Sequence, residues 1–414
     1  MSRPRLLLVT ARFPFDRGEE FLETEIHYLA DAFDVVIVPW FPDADLSVRR
    51  DAPAGVAVRT DILRAFPVGG KALSAWLLRH PRALASLPGL SLEERKALGA
   101  SPALWRGEAS FLLRALRLSQ LLTDAFRDQP FDAAYSYWLS PAALAVALLK
   151  EHGLTRVAVA RGQGGDVYHE RASLGYLPGQ ALAVARLDRV YGVAAFIQRY
   201  LQGRYPQYRD KFEVARHGVR PTPARNAPSR DGRLHLVSCA YLAPVKRLHL
   251  LVDALARCDF PIHWTHLGGG GLEQELRARA ASLPAHIDWR ITGPLPNRDI
   301  LRFYQEHPMD LFVSVSASEG LPVSMMEAMS YGIPIAATAV GGVPELVEPG
   351  RNGYLWAANV PPAAIAETLR AFHALPDDAK QAMRDASWQL WRQRVNAEVQ
   401  YPDFTRRLRA LLDA

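Results

Sequence analysis

Two carboxylates eight residues apart stand out in the segment 316–334, which reads SASEGLPVSMMEAMSYGIP. The first is Glu319, and the second is Glu327, which is surrounded in sequence by Met325, Met326 and Met329. A carboxylate in apolar surroundings needs a hydrogen-bonding partner. Two vicinal hydroxyls, such as those of a ribose, would satisfy both oxygens of Glu327, with bonds worth about 1.5 to 3 kcal/mol each. Considered singly, Glu327 could instead pair with a nearby arginine, and Glu319 could be a capping charge at a helix N-terminus.

The same segment is expected to surround an anion with backbone amides. A buried strand at 311–315 would run into a loop at its carboxyl end, where ligands bind in open α/β sheets. A helix over about 322–330 would follow, with Gly320 permitting close backbone approach and Pro322 presetting the first turn. The positive end of that helix predicts a diphosphate site. Its residues would be Gly320, Leu321, Pro322 and Val323.

A lysine in a second loop is a candidate partner for the same diphosphate. Lys246 follows a strand expected at 234–239 and precedes a helix beginning near Arg247. An ammonium group can bind phosphate as a point charge, without the fork geometry of arginine. Alone, Lys246 could be a solvated loop charge, but its combination with Glu327 favours phosphate binding.

Short apolar runs alternate with helical periodicity along the chain, a pattern typical of parallel strands covered on both faces by helices. For a first unit it predicts strands at 6–9, 35–38, 133–137, 157–160, 189–192 and 212–215. For a second unit it predicts strands at 234–239, 262–267, 288–291, 311–315 and 335–338. The expected fold class is therefore α/β, with two Rossmann-like, doubly wound units.

A chain of 414 residues exceeds the roughly 250 to 300 residues at which single cores stop growing. Residues 218–232 are rich in Pro, Ser, Asn and Gly, which predicts an interdomain linker. The domains would be 1–217 and 233–385, with a C-terminal helix at about 386–414 whose aromatic residues suggest packing across the junction with the first domain. A helical stretch at about 71–127 looks like an insertion. It could cover the first sheet with snorkelling arginines or form a surface for an anionic lipid-linked acceptor or membrane face.

Composition excludes several classes of protein. The net charge of +6 could attract phosphates, anionic lipid or nucleic acid, but no nucleic-acid-binding motif accompanies it. Cys239 and Cys258 lack the spacing of a disulfide framework or zinc site. No apolar stretch approaches the roughly 20 residues that span a bilayer. We therefore expect a cytoplasmic protein, with at most peripheral contact with the inner face of an anionic membrane.

Taken as a whole, the segment Glu-x7-Glu with Glu-Ala-Met-Ser-x-Gly-x-Pro resembles the donor motif of retaining glycosyltransferase family 4, which has the GT-B architecture. Residues 335–353, with their pair Gly341 and Gly342, resemble the glycine pair and closing turn of that family. The resemblance covers nearly the whole chain and is densest over 234–353. It implies that Glu327 binds the nucleotide ribose, that Glu319 binds donor-sugar hydroxyls and that Lys246 binds the phosphates.

Other donor-binding positions follow from the resemblance and from departures from it. Tyr241 stands where the family usually has an arginine, which Arg247 could replace. The glycine-rich loop 268–271 resembles a Gly-Asp-Gly loop without the Asp, so that Gly268 and Gly270 are expected near the donor. Gly293 occupies the place where the family approaches the base.

The first domain supplies further candidates. Gly18, after the first strand, could let a donor phosphate or acceptor come close, or could simply form a β-to-α turn. Residues 161–169, RGQGGDVYH, resemble an Arg-x-His-Gly-x-Asp-x-Tyr segment of capsule and exopolysaccharide members, with Gln163 in place of the histidine. The resemblance implies that Arg161 binds the donor and that Gln163 and Asp166 act in catalysis. Arg161 and Asp166 could instead form a structural salt bridge.

The function expected is transfer of a sugar from a nucleoside-diphosphate sugar to a carbohydrate or lipid-linked saccharide hydroxyl, in exopolysaccharide, capsule or lipopolysaccharide biosynthesis. Lys246 and the helix near Pro322 would stabilise the leaving diphosphate, and Glu319 would act beside them. No suitably placed Asp-x-Asp motif occurs, so neither a metal nor another cofactor is expected. The alternative is a catalytically silent nucleotide-sugar or polysaccharide-binding partner of a synthase complex, which the changed residues Tyr241 and Gln163 would favour.

Overall fold

The computed structural model describes residues 3–16, 18–41, 43–65, 99 and 101–413. The chain forms two compact units, Met1–Arg216 with Tyr401–Ala414, and His217–Gln400. The segment 218–232, predicted as a linker, lies in the second unit. The chain rejoins the first unit at Tyr401, whereas the sequence placed the start of the returning helix at about 386.

A parallel sheet forms the centre of the first unit. Its strands are β1 (Arg5–Thr10), β2 (Asp34–Pro39), β3 (Ala57–Val58), β4 (Phe131–Ser136), β5 (Thr155–Gly162), β6 (Arg189–Gly192) and β7 (Phe212–Val214). They are ordered β3-β2-β1-β4-β5-β6-β7. Leu6, Leu7 and Leu8 are all fully buried, because both faces of β1 are covered, as expected for an all-apolar run in a parallel sheet.

Helices flank this sheet. They are α1 (Leu22–Ala32), α2 (Asp61–Ala65), α3 (Pro102–Phe126), α4 (Pro141–Glu151), α5 (Gln180–Arg186) and α6 (Ala195–Arg204). Helix α3 begins where the Ser101 side chain accepts a hydrogen bond from the Leu104 amide and Pro102 occupies the first turn. It is the described part of the insertion predicted at 71–127. The remainder of that insertion, apart from Gly99, lies outside the described residues.

A second parallel sheet forms the centre of the second unit. Its strands are β8 (Leu234–Cys239), β9 (Ile262–Leu267), β10 (Ile287–Ile291), β11 (Leu311–Ser314), β12 (Ile335–Thr338) and β13 (Gly353–Trp356). They are ordered β10-β9-β8-β11-β12-β13. The sequence predicted five of these strands within one residue at each end. It missed β13, where residues 353–356 follow a turn and pair with β12 in the register Ile335 to Gly353.

The helices of the second unit are α7 (Leu248–Leu255), α8 (Glu273–Ala280), α9 (Asn297–Glu306), α10 (Val323–Ser330), α11 (Pro362–His373), α12 (Asp377–Arg394) and the start of α13 (Ala397–Ala410), which continues into the first unit. The sequence predicted one helical stretch at the C-terminus, but the structure has two helices there. The break occurs because Val395 leaves helical geometry and the Asn396 side chain accepts from the Glu398 amide, which starts α13. Among the described residues, no helix is both long and apolar enough to cross a membrane.

Candidate active site

The second sheet reverses its strand order between β8 and β11, which are neighbours in the sheet although β9 and β10 separate them in sequence. In open α/β sheets, ligands bind outside the carboxyl ends of strands at such a switch point. Two loops leave the sheet there, residues 240–247 after β8 and residues 315–322 after β11. They carry Lys246 and Glu319, the two residues that the sequence singled out for donor chemistry.

Lys246 and Glu319 meet at the switch point. The Lys246 Nζ lies 2.7 Å from Glu319 Oε1, and their side chains are 26% and 10% exposed. The loops are also joined through their backbones, because the Ala317 amide donates to the Val245 carbonyl at 2.7 Å. Solvent screens the pair from the Lys246 side, while Glu319 is buried. The pair concentrates one cation and one carboxylate where a charged ligand would bind.

Arg247 fixes the loop after β11. Its guanidinium donates to the carbonyl oxygens of Val315 at 2.8 Å and Ser316 at 3.0 Å, and burial lowers its pKa. The sequence proposed Arg247 as a replacement for the arginine usual at Tyr241. These two bonds use two of the five N–H donors of the guanidinium, so that role stays a prediction. Tyr241 itself is 68% exposed at the end of β8.

The close backbone approach expected at Gly320 is made possible by Gly341. A Cβ atom at Gly341 would lie 2.0 Å from the Glu319 carbonyl oxygen, and its φ of +55° disfavours other residues. The Gly342 amide then donates to the Gly320 carbonyl at 2.7 Å. These contacts fix the loop that holds Glu319, directly before Leu321, Pro322 and the first helical residue, Val323. Helix α10 begins there, so its first amides face the same crevice.

Glu327 lies inside α10 and is 7% exposed. Its Oε1 accepts a hydrogen bond from Asn297 Nδ2 of α9 at 2.7 Å. The sequence predicted that this carboxylate needs a partner, but it did not identify Asn297 as that partner. The amide of Asn297 orients Glu327 from the neighbouring helix, which no spacing rule could reveal because 30 residues separate the two.

The Cys239 thiol, at the end of β8, is affected by the charges of both Glu327 and Lys246. Burial raises the pKa of the Cys239 thiol, the Glu327 charge raises it further and the Lys246 charge lowers it. Burial likewise raises the pKa of the Tyr304 hydroxyl, with Cys239 and Glu327 adding to the effect. The charges of Lys246 and Glu327 therefore both act on the buried thiol at the end of β8.

The glycine-rich loop after β9 packs against the loop after β8. A Cβ atom at Gly268 would lie 2.2 Å from the Ala240 carbonyl, and one at Gly270 would lie 2.6 Å from that of Leu242. Gly268 also forms an isolated bridge with Gly293, at the end of β10. These two glycines support the loop that carries Lys246. Across the described ranges, no group of three or more His, Cys, Asp or Glu side chains could hold a metal ion.

The second unit matches a known protein family. Residues 221–387, which contain the whole second sheet and α10, match the family described as Glycosyl transferases group 1. This part of the chain is a glycosyl transferase group 1 domain. The matched region includes each residue at the switch point between β8 and β11.

Known proteins extend the comparison to the first unit. WcaL of Escherichia coli K12, named as a colanic acid biosynthesis glycosyltransferase, is 28% identical over 363 residues, 83% of this chain and 85% of WcaL. The lipopolysaccharide outer core galactosyltransferase WaaB, solved in its apo form, has a TM-score of 0.66 at 14% identity over 99% of both chains. Anabaena HepE, solved with UDP-glucose, has a TM-score of 0.61 at 16% identity over 98% of this chain and 99% of HepE. The predicted α/β fold with two Rossmann-like, GT-B-type units is confirmed.

Arg161 lies in the core of the first unit. It is fully buried and its Nη1 lies 2.5 Å from Oε2 of Glu25, which is also fully buried. Tyr135 and Tyr137 donate to the same carboxylate at 3.4 and 3.2 Å, and the guanidinium lies 4.4 Å from the ring centre of Phe404. Burial raises the pKa of Glu25, while the Arg161 charge opposes that rise.

The prediction that Arg161 binds the donor is not supported by this position, because a ligand from solvent has no access to it. Its partner is Glu25, not Asp166.

Gln163 and Asp166 lie at the carboxyl end of β5. The Asp166 carboxylate accepts from three backbone amides, those of Leu139 at 2.8 Å, Gln163 at 2.8 Å and Gly164 at 2.9 Å. Asp166 is therefore a positioning residue for the loop. The Gln163 side chain donates to the Tyr137 carbonyl at 3.2 Å, so Gln163 is held at the edge of the first sheet. Gly18 lies on the loop after β1, where its amide donates to Glu20 at 2.8 Å.

Proposed function

We propose that this group 1 glycosyltransferase moves a hexosyl group from a nucleoside-diphosphate sugar to a hydroxyl of a saccharide or lipid-linked saccharide, during exopolysaccharide, capsule or lipopolysaccharide biosynthesis. The proposal rests on the meeting of Lys246 and Glu319 at the switch point, with Glu327 held by Asn297 in the helix that follows the Glu319 loop. The name of WcaL and the UDP-glucose bound by HepE are consistent with it.

In the proposed reaction, the bond from the anomeric carbon to the diphosphate oxygen breaks, and a bond from that carbon to the acceptor oxygen forms. The acceptor proton passes to the departing diphosphate. Positive charge develops on the sugar and negative charge on the leaving group. The Lys246 ammonium and the N-terminus of α10 oppose the negative charge.

When a donor binds, Lys246 and Glu319 exchange their contact with each other for contacts with the donor. Lys246 turns from Glu319 to the phosphates, and Glu319 accepts hydrogen bonds from the donor sugar. Because the Lys246 side chain is partly exposed, moving its ammonium from Glu319 to the phosphates requires little free energy. Glu327, oriented by Asn297, binds the ribose hydroxyls.

We further propose that the anomeric configuration is retained, because the acceptor attacks from the face that the diphosphate leaves. Neither a metal nor another cofactor takes part. Lys246 and the α10 N-terminus provide the electrostatic stabilisation that a metal provides elsewhere. We also propose that the protein works in the cytoplasm, with peripheral contact with the membrane where a lipid-linked acceptor lies. Helix α3 supports such contact, since it exposes Trp105, Arg106 and Arg114.

A panel of UDP- and GDP-sugars tests the proposal. Binding is measured by calorimetry, and turnover is measured with saccharide acceptors in the presence and absence of EDTA. NMR of the product reports the anomeric configuration. Glu327→Ala is expected to weaken nucleotide binding, whereas Glu306→Ala, an exposed carboxylate at the end of α9, is the matched control. Equal donor affinity in wild type and Glu327→Ala would refute the site.

The alternative, a silent nucleotide-sugar-binding partner, is not favoured by the comparisons, because the full-length relative is named as a glycosyltransferase. Donor binding without turnover over a broad acceptor panel would support the alternative.

A further inference from the structure

Three buried side chains with polar atoms lie together at the carboxyl end of the second sheet, above an apolar core. They are Trp264 and His266 of β9 and Ser238 of β8, and none is more than 1% exposed. Side chains two residues apart in a strand share a face of the sheet, and Ser238 lies opposite His266 in the parallel register. All three therefore project from one face. Burying such groups costs free energy unless each is hydrogen-bonded.

The hydrogen bonds between these groups run in one direction. The Trp264 indole N–H can only donate, and it donates to Ser238 Oγ at 2.9 Å. The Ala240 carbonyl can only accept, so His266 Nε2, which lies 3.2 Å away, carries a proton and donates to it. Burial lowers the pKa of His266 to about 4, so the ring is neutral and its Nδ1 is an acceptor. The Ser238 hydroxyl therefore donates to His266 Nδ1 at 2.9 Å.

The last acceptor in this series, Ala240, begins the loop that carries Lys246. Gly268 gives His266 access to the Ala240 carbonyl. A Cβ atom at Gly268 would lie 2.2 Å from the Ala240 oxygen and 3.5 Å from His266 Nε2. A side chain at position 268 would therefore collide with the acceptor of this bond.

The bond from His266 fixes the direction in which the loop leaves β8. Past the end of a strand, a peptide group has no ladder partner to fix its plane, and its carbonyl needs another donor. His266 supplies that donor at Ala240, six residues before Lys246. The other end of the loop is fixed by the Ala317 amide, which donates to the Val245 carbonyl. Lys246 thus lies on a loop that is held at both ends.

We propose that His266 is a positioning residue for phosphate binding, which holds the start of the loop 240–247 so that the Lys246 ammonium lies where the diphosphate of the donor binds. Ser238 and Trp264 hold the imidazole in the tautomer that donates to the loop. Displacing a group at the reacting centre by about 1 Å can cost about 100-fold in rate. The inference rests on the proposed function, because His266 acts through Lys246.

Steady-state kinetics, and calorimetry with UDP and GDP, test the proposal on the full chain. His266→Leu should lower kcat about tenfold and weaken the binding of the diphosphate that the wild type binds. His266→Gln, whose amide N–H can reach the same carbonyl, should recover part of the loss. His263→Leu is the matched control and should keep wild-type values, because His263 lies on the same strand but faces the other side of the sheet.

A double-mutant cycle decides whether His266 acts through Lys246. In the Lys246→Ala background, His266→Leu should lower kcat by less than about twofold, since the group that it positions is gone. An equal loss in both backgrounds would overturn the proposal, because it would show that His266 acts independently of the lysine. Wild-type kcat and diphosphate affinity in His266→Leu would also overturn it.

Urea denaturation separates positioning from packing. Trp264→Phe should destabilise the fold but keep kcat within about twofold of wild type, because the Ser238 hydroxyl still donates to His266. Ser238→Ala should lower kcat severalfold, because no hydroxyl then holds the imidazole tautomer. A kcat that instead follows the loss of stability across these variants would make His266 purely structural. If His266→Leu does not fold, the double-mutant cycle is run with Ser238→Ala.

Failure of the proposed function has a different signature. Neither diphosphate would bind the wild type, or Lys246→Ala would keep wild-type turnover, and either result would overturn both proposals. Failure of the positioning role alone would leave nucleotide binding and the effect of Lys246→Ala intact.

Discussion

The switch points of the two sheets use carboxylates in opposite ways. Between β1 and β4, Glu19 and Asp166 accept hydrogen bonds mainly from backbone amides, which cannot leave without unfolding a loop. Between β8 and β11, Glu319 is bound by the Lys246 side chain, and Glu327 by that of Asn297. Side-chain donors can rotate away and be replaced by a ligand. The first arrangement builds a rigid surface, and the second builds a charged site that can exchange partners.

The ion pairs show a related contrast. Glu25 and Arg161 are both fully buried, whereas the Lys246 side chain is 26% exposed and that of Glu319 is 10% exposed. Removing one partner of a fully buried pair strands a charge, whereas water can reach the second pair from the Lys246 side. The first pair should therefore matter for folding and the second for chemistry.

The largest expected effect is on the buried pair. Arg161→Ala should lower the free energy of unfolding by about 3 to 5 kcal/mol, because Glu25 is left charged in the core. Urea denaturation measures the change. The double variant Glu25→Gln with Arg161→Met should recover part of the loss, since no charge is then stranded. A cost below about 1 kcal/mol for Arg161→Ala, the range of an exposed pair, would remove the contrast between the pairs.

Lys246→Ala should change turnover strongly and the free energy of unfolding only slightly, the reverse of what we expect for Arg161→Ala. We expect kcat to fall about 100-fold or more, as when one group that stabilises the leaving charge is lost, with a change in unfolding free energy of about 1 kcal/mol or less. Steady-state kinetics and urea denaturation give the two values. Lys150→Ala is the control, because Lys150 pairs with Asp188 on the surface of the first unit. Wild-type turnover in Lys246→Ala would end the assignment of Lys246 to the diphosphate.

A pH titration sharpens the comparison for the first unit. Burial lowers the pKa of His169 to about 4, with the Arg204 charge adding to the shift, while Gln180 and Glu170 oppose it. The Leu177 amide donates to His169 Nδ1, which fits a neutral ring.

Between pH 6.5 and about 4 the unfolded chain therefore binds the proton that the folded chain refuses, so stability is complete above pH 6.5 and falls as the pH is lowered. The loss attributable to His169 should reach roughly 2 to 3 kcal/mol. Unfolding free energies of wild type and His169→Gln should converge as the pH falls through this range. Parallel curves would mean that His169 titrates normally.

The smallest expected effect is at Asn297. Asn297→Ala should raise the Kd for a nucleoside diphosphate about tenfold, since it removes one bond to a charged group, worth about 1.5 kcal/mol, that orients Glu327. Calorimetry measures the Kd, and Arg298→Ala, an exposed neighbour, is the control. An unchanged Kd would show that Glu327 keeps its orientation without Asn297.

Much of the second unit could be predicted from sequence, because its signals are local. The apolar run at 311–315, the proline at 322 and the carboxylate at 327 each report on a few adjacent residues, and β11 and α10 lie where they indicate. Local signals could not identify the pairs that span long separations. Asn297 with Glu327, Gly341 with Glu319 and Arg161 with Glu25 join residues that only folding brings together.

The first unit shows more clearly what local sequence signals cannot predict. Arg161 was assigned to the donor through a motif resemblance, but its depth in the core depends on the residues around it. Glu19 lies in a loop, and nothing nearby in the sequence marks it as the acceptor of four hydrogen bonds. The sequence around a carboxylate does not distinguish one that holds a loop from one that binds a ligand.

The sequence by itself determined the two α/β units and the loop and helix that hold Glu319 and Glu327, and it predicted a shared site with Lys246. These depend on periodicity and on short-range steric rules, which are properties of neighbouring residues. The tertiary structure alone decided which carboxylates are satisfied by backbone amides and which by exchangeable side chains, since strand order places those partners. That distinction separates the carboxylates that hold loops from those that we propose bind the donor.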